Sequence, residues 1–139
     1  VYQNLNEYYR VLNKGCYAVI ATLGPASLGE LQECFRQVDN YEHINKFENI
    51  QNLLDIAKKI GYEDISLYIN ELVLFHPNVL DIMQNLKKIG ANFKEQTPLG
   101  GLFSRQKLNK LQQIYQDNYS DLQGLRVTWQ VYLLIIRKK

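Results

Sequence analysis

Apolar positions recur at helical spacing in the opening segment, where Leu5, Tyr8, Tyr9 and Leu12 share one face. Asn13-Lys14-Gly15 then punctuates, with Gly15 placed to end the helix in a left-handed conformation. Cys16 to Thr22 is short, apolar and partly β-branched, which predicts a strand buried on both faces, as in a parallel sheet. Gly24-Pro25 ends it, and Ser27-x-x-Glu30 has the form of a capping box that opens a helix. Leu28, Leu31, Phe35 and Val38 form that helix's stripe, and Asp39-Asn40 breaks it. Tyr41 to Phe47 is polar and aromatic without a clean period and reads as a loop.

Further along, Ile50, Leu53, Leu54, Ala57 and Ile60 predict a helix that Gly61 stops. Tyr62 to Phe75 fits two periods: its Ile, Tyr, Val and Phe content favours a strand over about 65–75, with a helix as the rival. Pro77-Asn78 opens a helix bearing Val79, Ile82, Met83 and Leu86, with Gly90 after its end. Ala91 to Leu102 reads as a loop, and Ser104 can cap a helix carrying Leu108, Leu111, Ile114 and Tyr115. After a turn at Tyr119 to Gly124, residues 125–136 alternate, with Leu125, Val127, Trp129, Val131, Leu133 and Ile135 opposite Arg126, Thr128 and Gln130. Trp129 reads as core. Helix, tight turn, buried strand, loop, helix is the rhythm of a doubly wound α/β sheet. In such sheets the carboxyl end of a strand borders the ligand crevice, here Thr22-Leu23-Gly24-Pro25.

Composition narrows this picture modestly. A chain of 139 residues allows one domain or part of a larger one, and Val1 in place of Met suggests a piece of something longer. The net charge of +2 leaves no strong footprint for nucleic acid. Cys16 and Cys34 are too few for a disulfide framework, and no Cys/His spacing suggests a metal site, so the expectation is reduced thiols in a cytoplasmic protein. The longest apolar run, about a dozen residues, falls short of the roughly 20 that a membrane-spanning helix needs.

Several segments together carry a family resemblance. Arg10-Val11-Leu12-Asn13-Lys14-Gly15, followed by the strand ending at Thr22, resembles the Arg-Val-Leu-Lys-Pro-Gly-Gly segment of class I S-adenosylmethionine-dependent methyltransferases, with Lys14 for the Pro and Cys16 for the second Gly. Ser27-Leu28-Gly29-Glu30-Leu31, Val38-Asp39-x-Tyr41-x-His43-Ile44-Asn45-Lys46-Phe47, Leu86-Lys87-Lys88-Ile89-Gly90-Ala91 and Leu102-Phe103-Ser104-Arg105-x-x-Leu108 resemble one branch of it. That branch is the malonyl-acyl-carrier-protein O-methyltransferases of biotin synthesis.

The resemblance implies an α/β fold that is the C-terminal part of a Rossmann-like class I methyltransferase sheet, its last three strands, with inserted substrate-cover helices at about 78–89 and 104–116. It implies one domain portion over 1–139, with the N-terminal half that binds S-adenosylmethionine absent. Accordingly the chain has no Gly-x-Gly-x-Gly segment. Methyl transfer to the free carboxylate of malonyl needs no strong base, because the nucleophile is already ionised near pH 7. Positioning groups are therefore the expected machinery. Thr22, His43, Asn45 and Phe47 are candidates for the substrate pocket, and Lys87, Lys88, Arg105, Lys107 and Lys110 for meeting the acidic carrier protein. Partners implied are the malonyl-loaded carrier and the N-terminal half of the same fold, without nucleic acid or membrane. Without that half, the Cys16–Thr22 strand is expected to present an unpaired apolar edge. A non-catalytic α/β interaction module, or a related methyltransferase with another acceptor, is the alternative.

Overall fold

Side-chain capping sets most of the helix boundaries in the computed structural model, which describes residues 2–91 and 104–139. Asn49, Asn78 and Ser104 sit in extended backbone ahead of three helices, and each side chain accepts from the backbone N–H three residues on. Those helices are α3 (Ile50–Ile60), α4 (Val79–Lys88) and α5 (Arg105–Tyr119); α1 (Tyr2–Val11) and α2 (Gly29–Val38) precede them. The strands are β1 (Tyr17–Leu23), β2 (Tyr62–His76), the short β3 (Ser120–Asp121) and β4 (Gly124–Lys138), so the two-period segment is a strand. The expected loop at Ala91 to Leu102 falls almost wholly outside the described residues.

The sheet runs β1-β4-β2, with β3 paired to β4 through a hairpin. Antiparallel register sets Tyr17 against Arg137, Ile20 against Leu134 and Leu23 against Val131. Two compact units emerge, each built from separated segments: Val1–Ser27, Phe47–Leu72 and Trp129–Lys139 in the first, Leu28–Lys46 and Val73–Thr128 in the second.

In the first unit α1 packs on α3 around a core of Leu5, Ala57, Tyr62, Leu134 and Ile136. The Tyr62 hydroxyl donates to the Leu5 carbonyl at 3.0 Å, satisfying a buried polar tip. Lys138 donates to the Leu12 carbonyl at 2.8 Å, and its ammonium sits 4.9 Å from the centre of the Tyr9 ring.

The second unit gathers α2 and α4 on α5, burying Leu31, Phe35, Ile82, Leu86, Leu111 and Tyr115. Tyr115 donates to the Arg126 carbonyl at 2.8 Å, and the Gln112 side chain accepts from Val79 N–H at the start of α4. Cys34 is fully buried there, and burial pushes its thiol up to about 12, whereas Cys16 is exposed. Alkylation of the native protein followed by peptide mapping is therefore expected to modify Cys16 and spare Cys34 until denaturant is added. Labelling of Cys34 at the rate of Cys16 under native conditions would contradict this packing.

Three expectations from the sequence are corrected. β1 is not buried on both faces: Tyr17, Val19 and Ala21 are exposed while Ala18, Ile20 and Thr22 are half-buried. It pairs antiparallel at an end of the strand order, so part of its apolar surface stays uncovered among the described residues. The capping box does not form either. Leu28, in left-handed backbone at φ 61°, precedes α2 without a side-chain cap, and Ser27 and Glu30 bond to β4 instead. In β4, finally, the buried set shifts from Leu125, Val127 and Trp129 to Tyr132, Leu134 and Ile136, replacing the expected Val131, Leu133 and Ile135. Residues 131–136 are apolar at both parities, so the pattern alone does not select a face.

Candidate functional site

The break after α2 builds a polar cluster inside the second unit. Asp39 ends the helix in extended backbone, its own N–H still bonded to the Phe35 carbonyl at 3.1 Å. One carboxylate oxygen accepts from Tyr41 N–H at 3.1 Å, a local turn that a short acidic or amide side chain makes best and a serine hydroxyl makes more weakly. That oxygen also meets His43 Nε2 at 2.7 Å, while the other accepts from Lys107 Nζ on α5 at 2.8 Å. The imidazole stacks on Phe35, with ring centres 4.3 Å apart and planes 27° apart. Lys107 also lies 5.7 Å from the centre of the Tyr41 ring.

Electrostatics follow from that geometry. Burial works to raise the Asp39 carboxyl, but hydrogen bonds from Lys107, His43 and Tyr41 N–H outweigh it and hold it below the ordinary aspartate value. Asp39 is thus an anion at neutral pH and an acceptor only, so His43 Nε2 is the donor of their bond. A group lowered on folding adds stability above its unfolded pKa of about 3.9 and loses it as pH falls through the folded value. The Asp39 anion is therefore present through the neutral range and is lost in acid.

Beside it lies a cavity of about 310 Å³ whose lining includes Phe35, Arg36, Asp39, Tyr41, His43 and Lys46. This is the small end of the range typical of ligand pockets. Arg36 pairs with Glu33 and Lys46 with Glu42, but these are exposed contacts that an incoming anion can exchange at little cost.

A second place of interest, in the first unit, is the carboxyl end of β1. Gly24 N–H donates to the Gln130 carbonyl at 2.8 Å, and Ser27, fully buried, both donates to that carbonyl and accepts from Gln130 N–H. A Cβ on Gly24 would stand 2.2 Å from the Gln130 side-chain oxygen and 2.6 Å from the ring of buried Tyr132. Residues 24–27 are thereby stapled to β4.

The predicted pocket residues divide between the units. Thr22 and Phe47, both half-buried, belong to the first; buried His43 and half-buried Asn45 belong to the second. All five basic candidates lie in the second, where Lys87, Lys88, Arg105 and Lys110 are exposed. Lys107 joins His43 through Asp39, so a residue expected to meet a partner is tied within the fold. Asp39, Phe35 and Lys46 were given no site role from sequence. Asp39 reads as a helix breaker and as one position of a family motif, although an acid four residues before a histidine is a spacing that a turn can close. Among the described residues no group of three or more His, Cys, Asp or Glu could hold a metal ion, and no helix is long and apolar enough to cross a membrane.

No protein-family model matches the chain. It is 33% identical over 137 residues to the biotin biosynthesis bifunctional protein BioHC of Teredinibacter turnerae, covering 98% of this chain and 24% of that one. Against the malonyl-[acyl-carrier protein] O-methyltransferase of Serratia marcescens it is 36% identical over 112 residues, 80% of this chain and 42% of the relative. The same enzyme of Laribacter hongkongensis matches at 31% over 111 residues, 80% of this chain and 37% of that one. The chain thus spans about a quarter to two-fifths of the length of these curated relatives. Among solved structures, a SAM dependent methyltransferase from Archaeoglobus fulgidus superposes with a TM-score of 0.42 at 17% identity, over 99% of this chain and 51% of that one.

Proposed function

We infer from this homology to malonyl-[acyl-carrier protein] O-methyltransferases that the chain is the C-terminal part of such an enzyme, one that methylates the free carboxylate of malonyl on acyl carrier protein in biotin synthesis. The observation that carries the reading is the match of 31% to 36% identity extending over four-fifths or more of the chain, across both units.

The cofactor of that reaction would be S-adenosylmethionine, which supplies an electrophilic methyl group when bound. The sequence holds no Gly-x-Gly-x-Gly segment, and among the described residues the turn after β1 is filled by Gln130 and Tyr132, so these residues do not fit it as a holder. The chain's own part is to bind and orient the acceptor. A malonyl carboxylate is already ionised at neutral pH, so the side chains around it need only hold it in line and keep water out. His43 and Asn45 of the second unit are the residues proposed for that role. Arg36 and Lys46 at the cavity would attract the acceptor's negative charge. Exposed Lys87, Lys88, Arg105 and Lys110 would steer the acidic carrier protein.

The remainder of the longer protein would complete the sheet against β1. That strand pairs only with β4 among the described residues, and Tyr17 and Val19 are exposed by 57% and 64%. An apolar groove lined by Tyr8, Val11, Leu12 and Ala18–Ala21 lies alongside it. An uncovered apolar edge of this kind invites strand addition.

The test is methyl transfer from labelled S-adenosylmethionine to malonyl-carrier protein by the full-length protein that contains this chain. Methylation of the malonyl carboxylate is the expected result. Transfer to a different acceptor would leave a methyltransferase with another substrate. No transfer to any carboxylate, with the protein folded, would favour the interaction module.

A further inference from the structure

We propose that Asp39 is the positioning residue of the acceptor site, acting through His43. This rests on the reading that His43 borders the acceptor, and it adds a residue which that reading does not contain. Three donors converge on the Asp39 carboxylate: Tyr41 N–H, His43 Nε2 and Lys107 Nζ, at 3.1, 2.7 and 2.8 Å. They come from three levels of organisation, namely the local turn, the loop four residues on, and α5 in a distant part of the sequence. One side chain therefore fixes how the 39–46 segment is folded and where it stands on the helix.

The consequence for His43 is specific. An ionised acceptor at Nε2 holds that nitrogen protonated and aimed at Asp39. The Phe35 stack fixes the ring plane, and the Asp39 bond fixes rotation within that plane. Side-chain exposures of 3% for His43 and 9% for Asp39 exclude most competing water, so the arrangement is preorganised before any ligand arrives. Lys107 anchors the carboxylate from the other side. A carboxylate holding an imidazole in one tautomer is a general way to orient a group that contacts substrate without the carboxylate touching it.

Asp39→Ser tests this, because serine can keep the turn to Tyr41 N–H while being too short to reach His43 and Lys107. In the full-length protein, kcat/KM for malonyl-carrier protein is expected to fall about 100-fold, the scale of an ångström-sized misplacement. KM for S-adenosylmethionine should stay within about twofold, since a lost acceptor contact leaves cofactor binding alone. A readout independent of turnover is the ¹⁵N correlation spectrum of the His43 ring, which should show protonated Nε2 in the parent and lose that preference in the variant. His43→Ala is measured in parallel: if it leaves malonyl kinetics unchanged, the acceptor-site reading fails and the positioning role goes with it. If His43→Ala is impaired while folded Asp39→Ser matches the parent in kinetics and ring spectrum, the positioning role alone is overturned. Should Asp39→Ser not fold, Asp39→Asn, which keeps the shape and loses the charge, is judged by the same two readouts.

Discussion

Gly124→Ala is expected to lower the melting temperature of the protein by about 10 °C, the shift corresponding to roughly 3 kcal/mol in a domain of this size or somewhat larger. Gly124 opens β4 at φ 122°, a backbone region that L side chains rarely adopt. Space is also lacking: an added Cβ would lie 2.6 Å from the His76 carbonyl oxygen. Because that oxygen is backbone at the end of β2, no side-chain rotation relieves the contact, and either β2 or the β3–β4 hairpin must move. Strain in the backbone and overpacking each cost about 1–3 kcal/mol, and here they act together. Differential scanning calorimetry of the two proteins measures the effect. A shift under about 2 °C would mean that the hairpin tolerates the extra methyl group and that the close approach is not a constraint.

Glu30→Ala should destabilise the second unit by about 2–3 kcal/mol. Glu30 is only 6% exposed. Its carboxylate accepts from Thr128 N–H at 3.2 Å and from the Thr128 hydroxyl, and lies 3.4 Å from Arg126. Removing it strips two donors on β4 of their partner and leaves unfilled the buried space its side chain occupies. Glu30 also occupies the first turn of α2, where a negative charge complements the helix dipole, so Glu30→Gln should cost less than alanine but more than nothing. Urea denaturation separates the three proteins. Equal midpoints for all of them would remove Glu30 from the forces joining α2 to β4.

The Glu30 substitution falls where local sequence rules mislead. Ser27-x-x-Glu30 has the spacing of a capping box, and as an isolated peptide it would have reason to form one. In the fold the same two side chains find better use across more than ninety residues of chain, on Gln130 and Thr128. Hydrogen-bond donors of a strand left without a neighbour are costly, and they outbid a helix cap that solvent can supply. Lys107 shows the same competition on the surface: read alone it is a lysine on a polar helix face, whereas Asp39 claims it from 68 residues away.

By itself, the sequence determined the element types and most of their ends, because helix caps and hydrophobic period are local chemistry. Asn78 and Ser104 cap the helices that their positions predict, Gly61 closes α3, and residues 65–75 lie within the strand β2 that their β-branched and aromatic content favours. It also held the family likeness, through short motifs in a fixed order. What only tertiary structure decided was which apolar face each strand buries and which charges meet. β1 and the second half of β4 are apolar at both parities, so the choice of buried face rests on what packs against them. The Asp39 cluster likewise depends on α5 arriving beside the end of α2, a placement that local pattern does not encode, and that contact turns a helix breaker into the centre of the candidate site.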